Sequence, residues 1–186
     1  MRPDLLPAAV IPLTFFLASC APITVGAHRA TDVDFRGYHS FAWGSADALP
    51  TGDPRLDNNP FFHDYVQGAV ERHLREHGIV LVGTPERPDL LVHYHAAVAQ
   101  RIDVASLRER QGQAGHYGEP SIGDSEPVIR GYDESTLVLD MIDARTGRLV
   151  WRGWAQESLQ NFVNDQDALK AHIDTSIVQM LQRLPI

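Results

Sequence analysis

The 186-residue sequence contains only one cysteine, Cys20, and only one lysine, Lys170. A single cysteine cannot close an internal disulfide, so Cys20 requires another explanation. The formal net charge is −8 and no basic cluster is present. This argues against nucleic-acid binding, which depends on lysine and arginine displacing counterions from phosphates. The chain also lacks an apolar run of about 20 residues, so no membrane-spanning helix is expected.

Motifs that mark common catalytic sites are missing as well. The sequence has no HExxH zinc motif, no cysteine pair and no G-x-S-x-G nucleophile turn. The glycines of GHYGEPSIGD do not stand between a strand pattern and a helix pattern, as a phosphate-binding loop requires. We therefore expect no catalytic residues and no cofactor.

An apolar segment at residues 8–18 has the length of a signal-peptide core. It runs into LASC at 17–20, which resembles the lipobox of bacterial lipoproteins. The resemblance implies that residues 1–19 are a removed signal peptide and that Cys20 is lipidated. Two alternatives stay open: an ordinary signal peptide that leaves a free thiol, and a cytosolic protein with a buried cysteine.

Lipid on Cys20 would hold the protein on a membrane, because two acyl chains suffice for stable attachment. Residue 21 is alanine, where the inner-membrane retention signal has aspartate. By that analogy we expect a cell-envelope protein at the outer membrane, facing the periplasm. We expect residues 20–30 to form a lipidated tether and residues 31–186 to form a single domain.

Hydrophobic periodicity and turn-forming residues divide the domain into elements. The predicted strands are 32–43, 79–83, 89–100, 135–143 and 147–158, and the predicted helices run from Asn59 to Gly78 and from Asn164 to Leu184. Residues 44–58 are predicted to be a loop, and a long flexible loop is predicted at about 101–132. Each helix has one apolar stripe, which a sheet with one apolar face can bury. The predicted fold class is α+β: a two-layer sandwich with a mostly antiparallel sheet of about five strands and two long helices packed on one face.

Several segments of the mature chain resemble the DUF4136 family of bacterial lipoproteins. They are DFRGYHSFAW, DPRLDN before a helix, PDLLVHYH and, most specifically, TLVLDMIDARTGRLVWRGWA. The resemblance implies a small α+β domain behind a lipobox. It implies no catalytic residue, cofactor or substrate, because the function of the family is unassigned.

The HYH sequence at 93–95 is the best candidate for a metal site. In a strand, His93 and His95 point to the same side, and two imidazoles at that spacing can chelate zinc or copper. A third ligand would have to come from His116, Asp140 or Asp103. The alternative is that both histidines decorate the more polar face of the sheet or bond a neighbouring strand. His73 and His77 form a second possible pair, although their place in the last helical turn already accounts for them.

Two tryptophans in the last strand face opposite sides, because they are three residues apart. We predict that Leu149, Trp151 and Ala155 face the core, and that the outer face consists of Val150, Arg152, Trp154 and Gln156. An outward tryptophan beside an arginine is a candidate partner contact. The alternative is that the loop at 101–132 folds over Trp154 and covers it.

Three functional hypotheses remain. The favoured one is a membrane-anchored, non-enzymatic module that binds an envelope protein or lipid partner or assists envelope assembly. The second is a metal-dependent enzyme or metal-binding protein using His93 and His95. The third is a carrier of a small apolar ligand held between the sheet and the helices. The partner, the biological process and the oligomeric state do not follow from the residues.

Overall fold

The computed structural model describes residues 23–44, 50–83, 86–102, 131–159 and 162–186. Within them lies a six-stranded sheet, with strands β1 Thr24–Arg29, β2 Ser40–Trp43, β3 Val80–Leu81, β4 Leu90–Ile102, β5 Gly131–Asp143 and β6 Arg148–Ser158. The helices are α1 Pro54–Asp57, α2 Phe62–Glu76 and α3 Gln166–Leu181, with a 3-10 turn at Phe35–Gly37.

The strands are ordered β1-β6-β5-β4-β2-β3 across the sheet. The pairs β1–β6, β6–β5 and β5–β4 are antiparallel, whereas β2 runs parallel to both β4 and β3. The predicted α+β class is confirmed, with six strands instead of about five. The additional strand is β1, which the sequence interpretation had assigned to the tether.

The prediction of a tether at 20–30 is wrong for most of its length. Residues 24–29 pair with β6 from Thr24↔Gln156 to Arg29↔Trp151 and form one edge of the sheet. The reason is tertiary: a six-residue segment with a glycine in its middle has little strand preference alone, but β6 supplies hydrogen-bond partners. Cys20 and residues 1–19 lie outside the described residues.

The predicted strands 135–143 and 147–158 form an antiparallel hairpin, β5–β6, in which β5 starts four residues earlier than predicted. β4 and β5 pair continuously from Leu90↔Asp143 to Ile102↔Gly131. The predicted loop at 101–132 therefore overlaps both strands at its ends, and residues 103–130 lie outside the described residues. The turn between β5 and β6 uses Gly147 at φ +68, a left-handed conformation that favours glycine.

Helix starts differ from the predicted ones. Asp53 caps α1, a short helix inside the segment predicted to be a loop, by accepting a hydrogen bond from the Arg55 amide at 2.8 Å. The helix predicted to start at Asn164 is capped instead by Asp165, which accepts from the amides of Asp167 and Ala168 at 3.0 Å. Aspartate and asparagine both cap well, so the sequence could not decide between neighbours.

The core lies between one face of the sheet and the two long helices. The buried side chains of α2 are Phe62, Val66, Ala69, Val70 and Leu74, which is the predicted stripe. They share one cluster with the α3 residues Leu169, Ile173, Ile177, Met180 and Leu181 and with the sheet residues Phe41, Leu90, Val92, Leu139, Met141 and Trp151. Both helices therefore cover the same side of the sheet, as predicted.

A β-bulge near the hairpin turn changes which residues of β6 face the core. Met141 pairs with Trp151, but the next residue, Ile142, pairs with Leu149, so Val150 has no partner position. Val150 and Trp151 are both 1% exposed, and Leu149 is 41% exposed. The predictions that Leu149 faces the core and Val150 faces outward are therefore wrong, because an inserted residue reverses the alternation.

Candidate binding face of the sheet

The side of the sheet opposite the helices is called the open face here. Strand register places four cross-strand rows on it: Ala42–Leu91–Ile142–Leu149, His93–Asp140–Arg152–His28, His95–Val138–Trp154–Gly26 and Ala97–Thr136–Gln156–Thr24. The face thus carries an apolar row, a charged row and a row with a tryptophan. Arg152 and Trp154 lie on this side, as predicted for the outer face of β6, and His93 and His95, predicted only to share one side, lie on it too.

An ion pair occupies the middle of the charged row. Arg152 donates from Nε and Nη2 to the two carboxylate oxygens of Asp140, both at 2.6 Å. The carboxylate raises the pKa of the Arg152 guanidinium, chiefly through these hydrogen bonds. Asp140 is only 6% exposed, whereas the Arg152 side chain is 47% exposed. The carboxylate is therefore buried beneath a guanidinium that still reaches solvent.

Trp154 lies flat against the neighbouring strand. A Cβ atom built on Gly26 would come within 2.0 Å of the indole, so only glycine leaves room for the ring there. The His28 ring lies beside it, with centroids 4.9 Å apart and planes tilted by 38°. The indole is half-buried and held in one orientation by its two neighbours on β1.

Sequence reasoning missed Gly26 and His28, since both fell in the predicted tether. The available signal was the run TVGAHR, which is compatible with an edge strand but too short to identify one alone. The alternative that the 101–132 loop covers Trp154 concerns residues outside the described ones.

Asp140, one of the possible third ligands of a metal at His93 and His95, is already paired with Arg152. His93 lies directly opposite Asp140 and His95 opposite Val138. Both Asp140 oxygens already accept hydrogen bonds from Arg152, so metal binding through Asp140 would require breaking that pair. The His93 ring packs on Gly44, where a Cβ would come within 2.0 Å of it. No group of three possible ligands occurs in the part of the chain that the structure describes, and Asp103 and His116 lie outside that part.

The second candidate histidine pair, His73 and His77, makes contacts within α2 and between α2 and α3. His73 contacts Asp174 of α3 at 2.9 Å through Nε2 and Glu76 at 2.8 Å through Nδ1. Nδ1 of His77 lies 2.8 Å from the carbonyl oxygen of His73, which satisfies a carbonyl of the last turn. Burial opposes ionisation of Asp174, but hydrogen bonds from His73 and Arg72 outweigh it and lower its pKa. These contacts give both histidines structural partners.

An open groove of about 640 Å³ lies at the hairpin end of the sheet. Two of the carboxylates that line it, Asp89 and Asp143, already accept hydrogen bonds from neighbouring residues. Asp89 accepts hydrogen bonds from the backbone N–H groups of His39 and Ser40 at 2.9 and 3.0 Å, and the first of these is the main cause of its lowered pKa. Asp143 accepts hydrogen bonds from Thr146 and from the Tyr38 hydroxyl. Burial, together with the hydrogen bond to Asp143, raises the pKa of Tyr38 to about 12. These carboxylates hold loops to strand ends.

A buried acid lies on the helix side of the sheet. One Glu157 oxygen is 2.7 Å from Nδ1 of His172, and the other accepts from the Ser176 hydroxyl at 3.1 Å. His172 stacks on Phe162 with ring centroids 3.9 Å apart. Burial raises the pKa of Glu157, although both hydrogen bonds oppose that shift. The cluster joins α3 to the end of β6.

We predict that Glu157→Gln flattens the pH dependence of stability. An acid whose pKa is raised in the folded state contributes stability that is complete below its unfolded pKa of about 4.3 and is lost as pH rises through the folded pKa. Glutamine cannot ionise, so the variant should gain stability relative to wild type as pH rises from acid to neutral. Urea unfolding across that range measures it. Exposed Glu86→Gln is the control, and equal slopes for wild type and Glu157→Gln would refute the prediction.

A small cavity between the sheet and the helices has a volume of about 30 Å³. Its lining includes Phe62, Leu137, Ala155, Phe162 and Ile173. About 10–15 Å³ of such space is enough for one water molecule, so the cavity has room for a few waters at most.

No helix of the described residues is long and apolar enough to cross a membrane.

The fold recurs in a solved structure of another protein. A PDZ domain protein from Parabacteroides distasonis is similar at a TM-score of 0.51 and 17% identity, over 88% of this chain and 36% of that one. This chain thus spans about a third of that protein's length. Two crystal forms of the PelC dodecamer from Paraburkholderia phytofirmans also match, each over 86% of this chain and 95% of PelC. One has a TM-score of 0.46 and 13% identity, and the other has a TM-score of 0.47 and 12% identity.

Comparison with curated proteins gave no match. A protein-family model described as "Domain of unknown function (DUF4136)" matches residues 26–186, which includes every described strand and helix after the start of β1. The resemblance seen in the residues is thereby confirmed, and the chain belongs to the DUF4136 family.

Proposed function

We propose that this chain is a lipoprotein anchored through Cys20 at the periplasmic side of the outer membrane. It acts there as a non-enzymatic binding or envelope-assembly module, and the open face is its binding surface. The lipobox-like sequence at 17–20 supports the anchor. The open face supports the binding role.

The observation that carries the binding role is the fixed indole of Trp154 beside the exposed guanidinium of Arg152. Trp154 is held on Gly26, and Arg152 is held by two hydrogen bonds to Asp140. Side chains that are already ordered lose little conformational entropy when a partner binds. Tryptophan and arginine are also the residue types that most often dominate binding energy.

Neither alternative function has comparable support. A metal site at His93 and His95 that takes Asp140 as its third ligand would compete with Arg152 for it. An apolar carrier needs a cavity far larger than about 30 Å³, since ligand sites are typically about 300–1,000 Å³. The close packing of the helices on the sheet and the pairing of Asp140 with Arg152 therefore favour a binding surface over a metal site or a ligand-carrying pocket.

The anchor is tested by Cys20→Ser. We expect the variant to move from the membrane fraction to the soluble fraction, because serine cannot form the thioether to lipid. Ser19→Ala is the matched control, since it keeps a small residue before the cysteine and should stay with membranes. Mass spectrometry of the mature N-terminus should show acyl chains on Cys20. An unmodified thiol, or Cys20→Ser protein that still sediments with membranes, would disprove the anchor.

The binding role is tested by a photoreactive residue at position 154 in intact cells. Position 61 is the control, because Phe61 is 48% exposed and lies at the start of α2, a helix on the other side of the sheet. Adducts formed from position 154 but not from 61 support the open face as the binding surface. Equal adducts from both positions, or none from 154, count against it.

A further inference from the structure

We propose that the open face lies on the membrane surface itself, with phospholipid headgroups as its ligand. Trp154 and the apolar row enter the boundary between headgroups and acyl chains, and Arg152 meets the lipid phosphates. This inference rests on the proposed anchor at Cys20 and specifies what the anchored face binds.

The first argument is the short distance between anchor and fold. Only three residues separate Cys20 from Thr24, the first residue of β1. Four residue steps span at most about 14 Å when fully extended. β1 is hydrogen-bonded to β6 along its length, so the sheet edge cannot move away from the fold to lengthen this connection. A lipid on Cys20 therefore holds the Thr24 end of β1, one corner of the open face, within about 14 Å of the headgroups.

The second argument is the composition of the face. Leu149 is 41% exposed because of the bulge, and it continues the apolar row formed by Leu91 and Ile142. Trp154 lies two rows away on the same strand. Tryptophan prefers the membrane interface because its ring is apolar and its N–H is polar. Arginine binds phosphate, and Nη1 of Arg152 makes no hydrogen bond to the described residues while Nε and Nη2 hold Asp140.

The third argument is charge. The chain carries a formal net charge of −8. On the open face, Asp140 is paired with Arg152, and Glu134 is paired with Arg101 at 3.1 Å. These four groups sum to zero, so within the described residues the two ion pairs leave this face without excess negative charge. An anionic membrane surface repels negative charge, and the open face can therefore approach headgroups with less repulsion than the rest of the molecule.

Fluorescence quenching tests the inference on the lipidated mature protein in vesicles of phosphatidylcholine that is brominated near the top of its acyl chains. Trp151 is 1% exposed on the helix side, and Trp43 also lies there with its indole bonded to Glu71. Quenching should therefore come from Trp154 and be lost in Trp154→Phe. No quenching of vesicle-bound wild type, or quenching that survives Trp154→Phe, would overturn the inference.

Two matched substitutions test the orientation. Leu149→Asp puts a charge in the apolar row and should reduce quenching, whereas Leu81→Asp on β3, where Leu81 is 42% exposed, should leave it unchanged. Equal effects of the two substitutions would refute the membrane-facing orientation. Circular dichroism checks that both variants fold. Failure of the anchor is recognised separately, because wild type would then not float with vesicles at all.

Discussion

Replacing Gly153 with alanine is expected to destabilise the domain by about 2 kcal/mol or more. Gly153 lies on the helix side of β6, two residues after Trp151. A Cβ atom there would come within 2.3 Å of the Trp151 ring, which is 1% exposed and closed in by the core. The ring cannot swing outward, so the added methyl group must displace the tryptophan or the strand. Urea unfolding of wild type and Gly153→Ala measures the difference.

Gly68→Ala is the matched control, because Gly68 lies inside α2 and a Cβ there meets no atom within 4 Å. This variant should gain about 0.5–1 kcal/mol, since alanine is the better helix former. The same chemical change thus has opposite expected signs at two sites. A Gly153→Ala protein as stable as wild type would show that the Trp151 packing is not as tight as described.

The second large effect is expected from Arg152→Leu. This change leaves the Asp140 carboxylate, 6% exposed, without its partner in the charged row. Breaking a fully buried pair costs about 3–5 kcal/mol, and solvent access to the half-exposed Arg152 reduces the expected loss to about 2–3 kcal/mol. Thermal or urea unfolding at neutral pH measures it.

The double variant Asp140→Leu with Arg152→Leu should recover most of that stability, because it removes the buried Asp140 carboxylate together with Arg152 and leaves no unpaired charge. Arg148→Leu is the control: its partner Asp32 is exposed, so that ion pair should contribute little. If the double variant is no more stable than Arg152→Leu alone, an unpaired buried carboxylate is not the cause of the loss.

The two long helices could be predicted because their information is local. The apolar residues of α2 recur at three- and four-residue steps, and all five are buried in the structure. The hairpin could be predicted for the same reason, since the turn glycine and the alternation on each side lie within one short segment. The predicted start of α3 moved by one residue, from Asn164 to Asp165, because both side chains can cap a helix, whereas α2 begins after Phe61 without a side-chain cap.

The candidate site was predicted only in part. Alternation placed His93 with His95 and Arg152 with Trp154, but it could not show that both pairs share one face or supply their neighbours across the sheet. The pairing of Asp140 with Arg152 depends on the register between β5 and β6, and the seating of Trp154 depends on Gly26 at the other end of the chain. The bulge after Leu149 reversed two further assignments, because one extra residue in a strand leaves no clear mark in the sequence.

The sequence by itself determined the family, the fold class, the helix stripes and the lipobox-like segment at 17–20, since each depends on residues close together in the chain. Only the tertiary structure decided that residues 24–29 are a strand, that Leu149 is exposed and that Arg152 neutralises Asp140. Those facts depend on which strands lie side by side, and hydrogen bonds between strands distant in sequence are fixed only when the whole sheet assembles.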